Sequence, residues 1–257
     1  MADDRYVITE AERKQGGCKE KRKIIILQPM TMLPLGERSD QAGRPFFLCG
    51  ELTIWRVKCT RRRKMQYRNA RIEDIPGVAR LQSMYHVSTI SPEDKPDGFV
   101  TTLFTEAQFR ELIEAEDGLA IACAGDEVIA YAMAASWHYW SAWPLFQHMI
   151  EDLPNVVYLG QRLSTENSYQ YGPICIRRDY RGTEVLPNLF EFSRRQMAKR
   201  YPILITFINT RNPRSFRAHT KKLGLEVIKT FTFNDNLYYE LGYDMSKPTP
   251  NHTLGPE

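Results

Sequence analysis

One stretch constrains this chain more than any other. Tyr171-Gly172-Pro173-Ile174-Cys175-Ile176 runs into a charged turn, Arg177-Arg178-Asp179-Tyr180-Arg181-Gly182-Thr183-Glu184, and then into Val185-Leu186-Pro187-Asn188-Leu189-Phe190. Ile174 to Ile176 reads as a strand. Leu186, Leu189, Phe190, Ser193 and Met197 recur at helical spacing, which predicts a helix with one apolar face after the turn. Pro187 suits its first turn, where the missing N–H would have no partner anyway. Pro202 ends that helix, and Ile203 to Ile208 form a continuous apolar strand. Strand, helix and unbroken apolar strand argue for a parallel pair buried on both faces. A strand entering a helix through an Arg-Gly turn aims free N–H groups and a positive dipole end forward. That is a ready phosphate site.

The text around this centre is regular from Met65 onward. Tyr67 to Arg71 reads as a first strand. Asp74 then caps a helix carrying Pro76 in its first turn and Ile75, Val78, Ala79, Gln82 and Tyr85 along one side. After a loop rich in Ser, Pro and Asp, from His86 to Phe99, Thr105 and Gln108 form a capping box ahead of Phe109, Leu112 and Ile113. Leu119 to Ala124 and Val128 to Ser136 read as a hairpin over Gly125-Asp126. Trp137 to Trp143 is an aromatic peak leading to a short helix, and Val156 to Leu163 is a further strand. Pro213 opens a late helix that Leu223-Gly224 closes with glycine at the C-terminal cap. Val227 to Phe233 and Leu237 to Leu241 predict a final hairpin.

Two segments of this text resemble a known family. Ile174 to Leu186 is similar to the acyl-coenzyme A signature of the GNAT acetyltransferase superfamily, in which a strand ends in Arg/Gln-x-x-Gly-x-Gly/Ala. Arg181 and Gly182 match, while Glu184 and Leu186 stand where the family has small residues. Asn212 to Glu226 is similar to its late motif, in which Asn follows the second central strand and a helix ends in Leu-Gly-Phe; here the ending is Leu223-Gly224-Leu225. The opening strand and Asp-capped helix also resemble the GNAT start, so the resemblance covers about 67–244. It implies an α/β (α+β) fold, a mixed, mainly antiparallel twisted sheet with a central parallel pair flanked by helices.

The resemblance also implies chemistry: transfer of an acetyl group from acetyl-CoA to an amine by direct attack in a ternary complex, with acetyl-CoA as co-substrate and no metal. Cys175, Ile176, Arg177, Arg181, Gly182, Thr183, Glu184, Val185 and Leu186 would hold the coenzyme, with Asn212 and Ser215 along the pantetheine arm. Near Ile176 a backbone N–H would polarise the thioester carbonyl, an oxyanion-hole role needing no particular side chain. Family members place Tyr seven residues after the Asn, where it protonates the departing thiolate. Counted from Asn212 that position is His219; counted back from Gly224 it is Thr220, because this helix is one residue longer than usual. Histidine is competent as the acid, its pKa being near neutrality. Glu166 and Tyr171 are the candidate bases, and the aromatic run with His138 lies where the family builds its acceptor pocket. Glu184 would put a carboxylate beside the pyrophosphate, worth about 1 kcal/mol of repulsion at ~4 Å in water and about 4 at an effective dielectric of 20.

Composition limits the alternatives. The five cysteines are irregularly spaced with no CxxC pair, which argues against a zinc site or a disulfide framework and fits a reducing cytoplasm. The longest apolar run, Ile24 to Leu35, is broken by Gln28, Pro29 and Pro34 and is shorter than the roughly 20 residues that span a bilayer. No membrane partner is therefore expected, and the acidic first residues do not read as a signal peptide. The basic excess is local. Residues 1–64 hold 15 Lys and Arg against 8 Asp and Glu, a balance of +7, whereas 65–257 hold 20 against 23, a balance of −3, within a net charge of +4.

This divides the chain into a basic, low-order extension (1–64), an acetyltransferase-like domain (65–245) and a tail (246–257) whose prolines suggest disorder. The extension reads as a nucleic-acid or anionic-surface arm, a loose appendage, or sequence upstream of a natural start at Met65. Nucleic acid is thus a secondary expectation, and homodimerisation stays open. A module that binds acyl-CoA without turnover is the competing reading of the main domain, motivated by Glu184 and the missing Tyr.

Overall fold

The computed structural model describes residues 64–91, 93 and 99–255; the expectations for 1–63 lie outside them. The described chain is built on a seven-stranded sheet. Its strands are β1 (Met65–Asn69), β2 (Leu119–Ala124), β3 (Glu127–Ala135), β6 (Ser168–Ile176), β7 (Ile203–Asn209), β9 (Asn236–Asp244) and β8 (Glu226–Phe233), in that spatial order. A separate two-stranded ribbon pairs β4 (Val157–Tyr158) with β5 (Gln161–Arg162). Every neighbouring pair in the large sheet is antiparallel except β6 and β7. The mixed sheet with its central parallel pair is the architecture expected.

Period-two alternation sorts the side chains of β2 and β3. Ala120, Ala122, Ala124, Ala130, Ala132 and Ala134 share one buried face with helix α5 (Val185–Met197), where their small size lets the helix lie close. Leu119, Ile121, Cys123, Tyr131 and Met133 take the other face, with Val78 and Leu81 of α1 (Ile75–Met84) and Phe109 and Leu112 of α2 (Glu106–Glu114). α3 (Trp137–Trp140) and α4 (Pro144–Asp152) extend that second layer. Trp137 is fully buried, its indole N–H donating to Ser168 Oγ at 3.0 Å.

Several local expectations hold with changes. Thr105 caps α2 reciprocally with Gln108. Asp74 does not cap α1: its carboxylate accepts from Arg71 N–H (2.8 Å) and from the Arg68 guanidinium (2.6 and 2.8 Å), closing the 3₁₀ turn before the helix. The Arg68 bidentate pair is the stronger partner, so the backbone cap is displaced. The tail is not loose either. Thr253 N–H donates to Asn188 Oδ1 (2.7 Å), and Thr249 is buried against Glu191 of α5. Among the described residues no helix is long and apolar enough to cross a membrane.

Candidate active site

The parallel pair that organises the sheet is short. β6 and β7 register only over Ser168–Ile203, Tyr169–Leu204 and Gln170–Ile205. Beyond that each keeps its outer partner, β6 with β3 to Ile176 and β7 with β9 to Asn209. The two strands therefore part. The β3–β6 register shifts between Ala132 and Ala134, opposite Gly172-Pro173. An irregularity of this kind bends a strand, and Pro173 has no N–H to offer a ladder. The last tie across the gap is Thr206 Oγ1–H donating to Tyr171 O at 2.6 Å.

The parting exposes one backbone edge of β6. Arg177 N–H donates to Ile129 O (2.9 Å), so Arg177 and Ile129 are a hydrogen-bonded antiparallel pair. Alternation then turns the N–H and C=O of Ile176 and Ile174 away from β3 and into the gap. The Ile176 carbonyl accepts from Arg181 Nε (2.8 Å), which leaves its N–H for another partner.

Two clefts open onto this gap. The first, about 620 Å³, is bordered by Ile174, Ile176, Arg181, Gly182, Leu186 and the late helix. At the end of β6 a 3₁₀ turn, Arg178–Tyr180, leads through Gly182 (φ +83°) into α5. Gly182 alone tolerates that left-handed backbone cheaply. Thr183 braces the turn before α5: its Oγ1 donates to Tyr180 O (2.7 Å) and accepts from Val185 N–H (3.3 Å). Among the described residues no partner is assigned to the N–H groups of Gly182, Thr183 or Leu186. They stand at the positive end of a 13-residue helix beside Arg214, Arg217, Lys221 and Lys222 of the same cleft. Free amides, helix dipole and cations together suit a diphosphate.

The late helix carries the chemistry. α6 (Pro213–Arg217) opens with Asn212 Oδ1 accepting from Ser215 N–H (3.0 Å) and runs on as a π-helical turn, Ala218–Leu223, closed by Gly224 at φ +82°. The π turn takes up the extra residue that made the motif countable in two ways. It places His219 in the buried set and lining both clefts, while Thr220 turns back to donate to Phe216 O at 2.8 Å. His219 Nδ1–H donates to Ser215 O at 2.8 Å, since a carbonyl can only accept. In the neutral ring Nε2 then carries the lone pair. Burial lowers the pKa of His219 against the opposing pull of the Ser215 carbonyl, so the ring is neutral at neutral pH.

The second cleft, about 610 Å³, meets the first at Ile174, Asn212, Ser215 and His219. Its walls come from Phe99 to Thr102, Phe104, Trp143 to Phe146, Gln170 to Ile174, Thr206 to Asn209 and the β8–β9 turn.

Of the residues singled out in the sequence, the structure gathers Cys175, Ile176, Arg181, Gly182, Leu186, Asn212, Ser215 and His219 at the first cleft. Thr183 is outside the lining and stands beside it in the turn before α5, where only its backbone N–H is on offer; the remaining residues are not brought in. Arg177 is held by Glu127 and by Asp179 (2.7 Å), bracing the turn against β3. Val185 is core, and Glu184 begins α5 outside the cleft lining. Glu166 is exposed, bonded to Thr165 at the opposite end of β6 from the loop. Tyr171 is fully buried against Phe190 with its pKa pushed far up, so its phenol is no base near neutrality. The Cys175 thiol is pushed up to about 12 by burial, although Arg181 pulls it down, which removes any nucleophilic role. His138 is exposed. Among the described residues no three His, Cys, Asp or Glu side chains gather as a metal site would need.

No protein-family model matches the chain, and no curated protein matches it. Solved structures are similar in outline. yncA from Salmonella typhimurium, solved with its cofactor acetyl-CoA, has a TM-score of 0.47 at 10% identity over 75% of this chain and 98% of its own. The ribosomal-protein-S18-alanine N-acetyltransferase of Escherichia coli gives 0.46 at 12% over 74% and 100%. An N-acetyltransferase from Staphylococcus aureus Mu50 gives 0.46 at 16% over 71% and 99%. From Met65 to Asp244 the described residues form a mixed α/β domain, a mainly antiparallel seven-stranded sheet in which one strand pair, β6 and β7, is parallel and parts.

Proposed function

We propose that this domain transfers an acetyl group from acetyl-CoA to an amine. The observation that carries the reading is the parted β6–β7 pair, with a basic, amide-lined cleft on one side, a second cleft on the other, and His219 in both. Acetyl-CoA supplies the acetyl group as a thioester. The Gly182, Thr183 and Leu186 amides with the neighbouring cations hold its diphosphate, and the outward N–H of Ile174 or Ile176 polarises the carbonyl. Asn212 spends Oδ1 on its cap, so Nδ2 is what it offers the pantetheine arm. The amine nitrogen attacks the carbonyl carbon, the C–S bond breaks, and a proton must pass from nitrogen to sulfur. Neutral His219 is suited to carry it: Nε2 accepts the proton on the amine side and returns it to the thiolate. Buried, unoxidised Cys123 and Cys175 fit a cytoplasmic setting.

A thermal-shift titration of the full chain with acetyl-CoA tests this. At about 100 times Kd the gain is about 2.7 kcal/mol of stability. No shift at millimolar acetyl-CoA overturns the proposal, and a shift without thiol release on any amine leaves a binding module instead.

A further inference from the structure

We infer that the acceptor is a primary amine on a flat apolar body, an arylalkylamine in chemical class, as opposed to a polyamine or a lysine side chain of a basic peptide. The inference rests on the acetyl-transfer reading above. The second cleft is walled by a chain of rings: centroids are 5.8 Å apart for Phe104–Trp143, 6.3 Å for Trp143–Phe146, 5.6 Å for Phe146–Phe207 and 5.6 Å for Phe207–Tyr238. All four contacts are edge-to-face, with interplanar angles of 62°, 77°, 67° and 82°. Rings braced in this way form a stiff slot that takes another ring at little entropic cost.

Charge argues the same way. Among the described residues lining this cleft none is Asp or Glu, and Arg211 is its one permanent charge. A second ammonium on the acceptor would give up water beside the like charge of Arg211, with no carboxylate among the described lining residues to offset it. That the described lining holds no carboxylate also favours the neutral amine, the form that attacks.

Gln170 supplies a polar contact. It lines the cleft at 1% exposure, its Nε2–H donates to Tyr171 O (2.7 Å), and its Oε1 is buried with no partner among the described residues. A buried acceptor in that state is satisfied by an N–H donor from a bound molecule.

The test uses the full chain with acetyl-CoA and follows thiol release with 2-phenylethylamine and tryptamine against spermidine and a lysine-containing tetrapeptide. Arylalkylamines are expected to be favoured by more than about 100-fold in kcat/KM. Trp143→Ala is expected to raise the KM for 2-phenylethylamine at least about tenfold with the acetyl-CoA thermal shift intact, and Trp143→Phe to restore it within a few-fold. Tryptophan fluorescence with CoA present should be quenched saturably by 2-phenylethylamine and not by spermidine. An intact acetyl-CoA shift with no aryl preference in turnover or quenching, or an unchanged KM in Trp143→Ala, overturns this inference alone. Absence of the acetyl-CoA shift in the parent overturns the transfer reading beneath it.

Discussion

His219→Gln lowers kcat for amine acetylation by about 10²- to 10⁴-fold while acetyl-CoA affinity stays within a few-fold. Glutamine fills most of the imidazole's volume and keeps an amide to meet the Ser215 carbonyl, so packing beneath the gap is nearly conserved. What it cannot do is accept and release a proton. His219→Ala gives the same loss in kcat and adds a cavity beside Tyr171, whose ring lies 6.4 Å from the imidazole by centroid. The pH dependence separates this role from a structural one. The neutral ring is the active form, and burial holds the pKa of His219 below the usual histidine value. The parent's kcat is therefore flat above neutrality and falls with pH only once the medium drops below the ordinary histidine range. That acidic limb is absent from the glutamine variant. If His219→Gln keeps kcat within a few-fold, the proton passes by another route.

How much of this was legible in the sequence depends on how local the signal is. The hairpin of β2 and β3, the capping box at Thr105, and Pro213 and Gly224 at the ends of the late helix are written in neighbouring residues, and all stand where expected. The parting of β6 and β7 is not local. Ile203 to Ile208 carries the apolar run of a strand with partners on both sides, which β7 has, but its parallel partner leaves after Gln170. The available signal was Gly172-Pro173 inside a strand, a pair that weakens a ladder from within. The helix register was ambiguous because Asn212 and Gly224 count to different residues, and only the π turn decides between His219 and Thr220. Arg177 looked like Arg181, since nothing in the text shows that Glu127, fifty residues earlier, meets it. The aromatic slot gathers Phe104, Trp143, Phe146, Phe207 and Tyr238 from four separate segments, and no spacing rule links them.

Glu191→Ala costs about 3–5 kcal/mol of stability. The carboxylate is 1% exposed and meets Arg194 Nε (2.7 Å), Arg195 Nε (2.8 Å), and the N–H and Oγ1–H of Thr249 (2.9 and 2.8 Å). Arg194 also reaches the Met245 carbonyl and Arg195 that of Gly255, at 2.6 and 2.7 Å. One buried charge thus ties residues 245–255 to the helix whose first turn offers the Leu186 amide. Its removal leaves two guanidinium groups half-buried without their counter-charge and an N–H without its acceptor. Glu191→Gln keeps the shape and one acceptor, and should cost less. Acid behaves like the truncation. Burial raises the Glu191 pKa, but Arg194, the Thr249 N–H and Arg195 outweigh it and hold the carboxyl well below the usual range. Such a group contributes its stability above the unfolded carboxylate pKa and loses it as pH falls toward the folded one. Urea midpoints of the parent should therefore drop between about pH 5 and pH 3, and those of Glu191→Ala should drop less. Equal midpoints for the two proteins at pH 7, or equal acid sensitivity, would show that the tail is held without this charge.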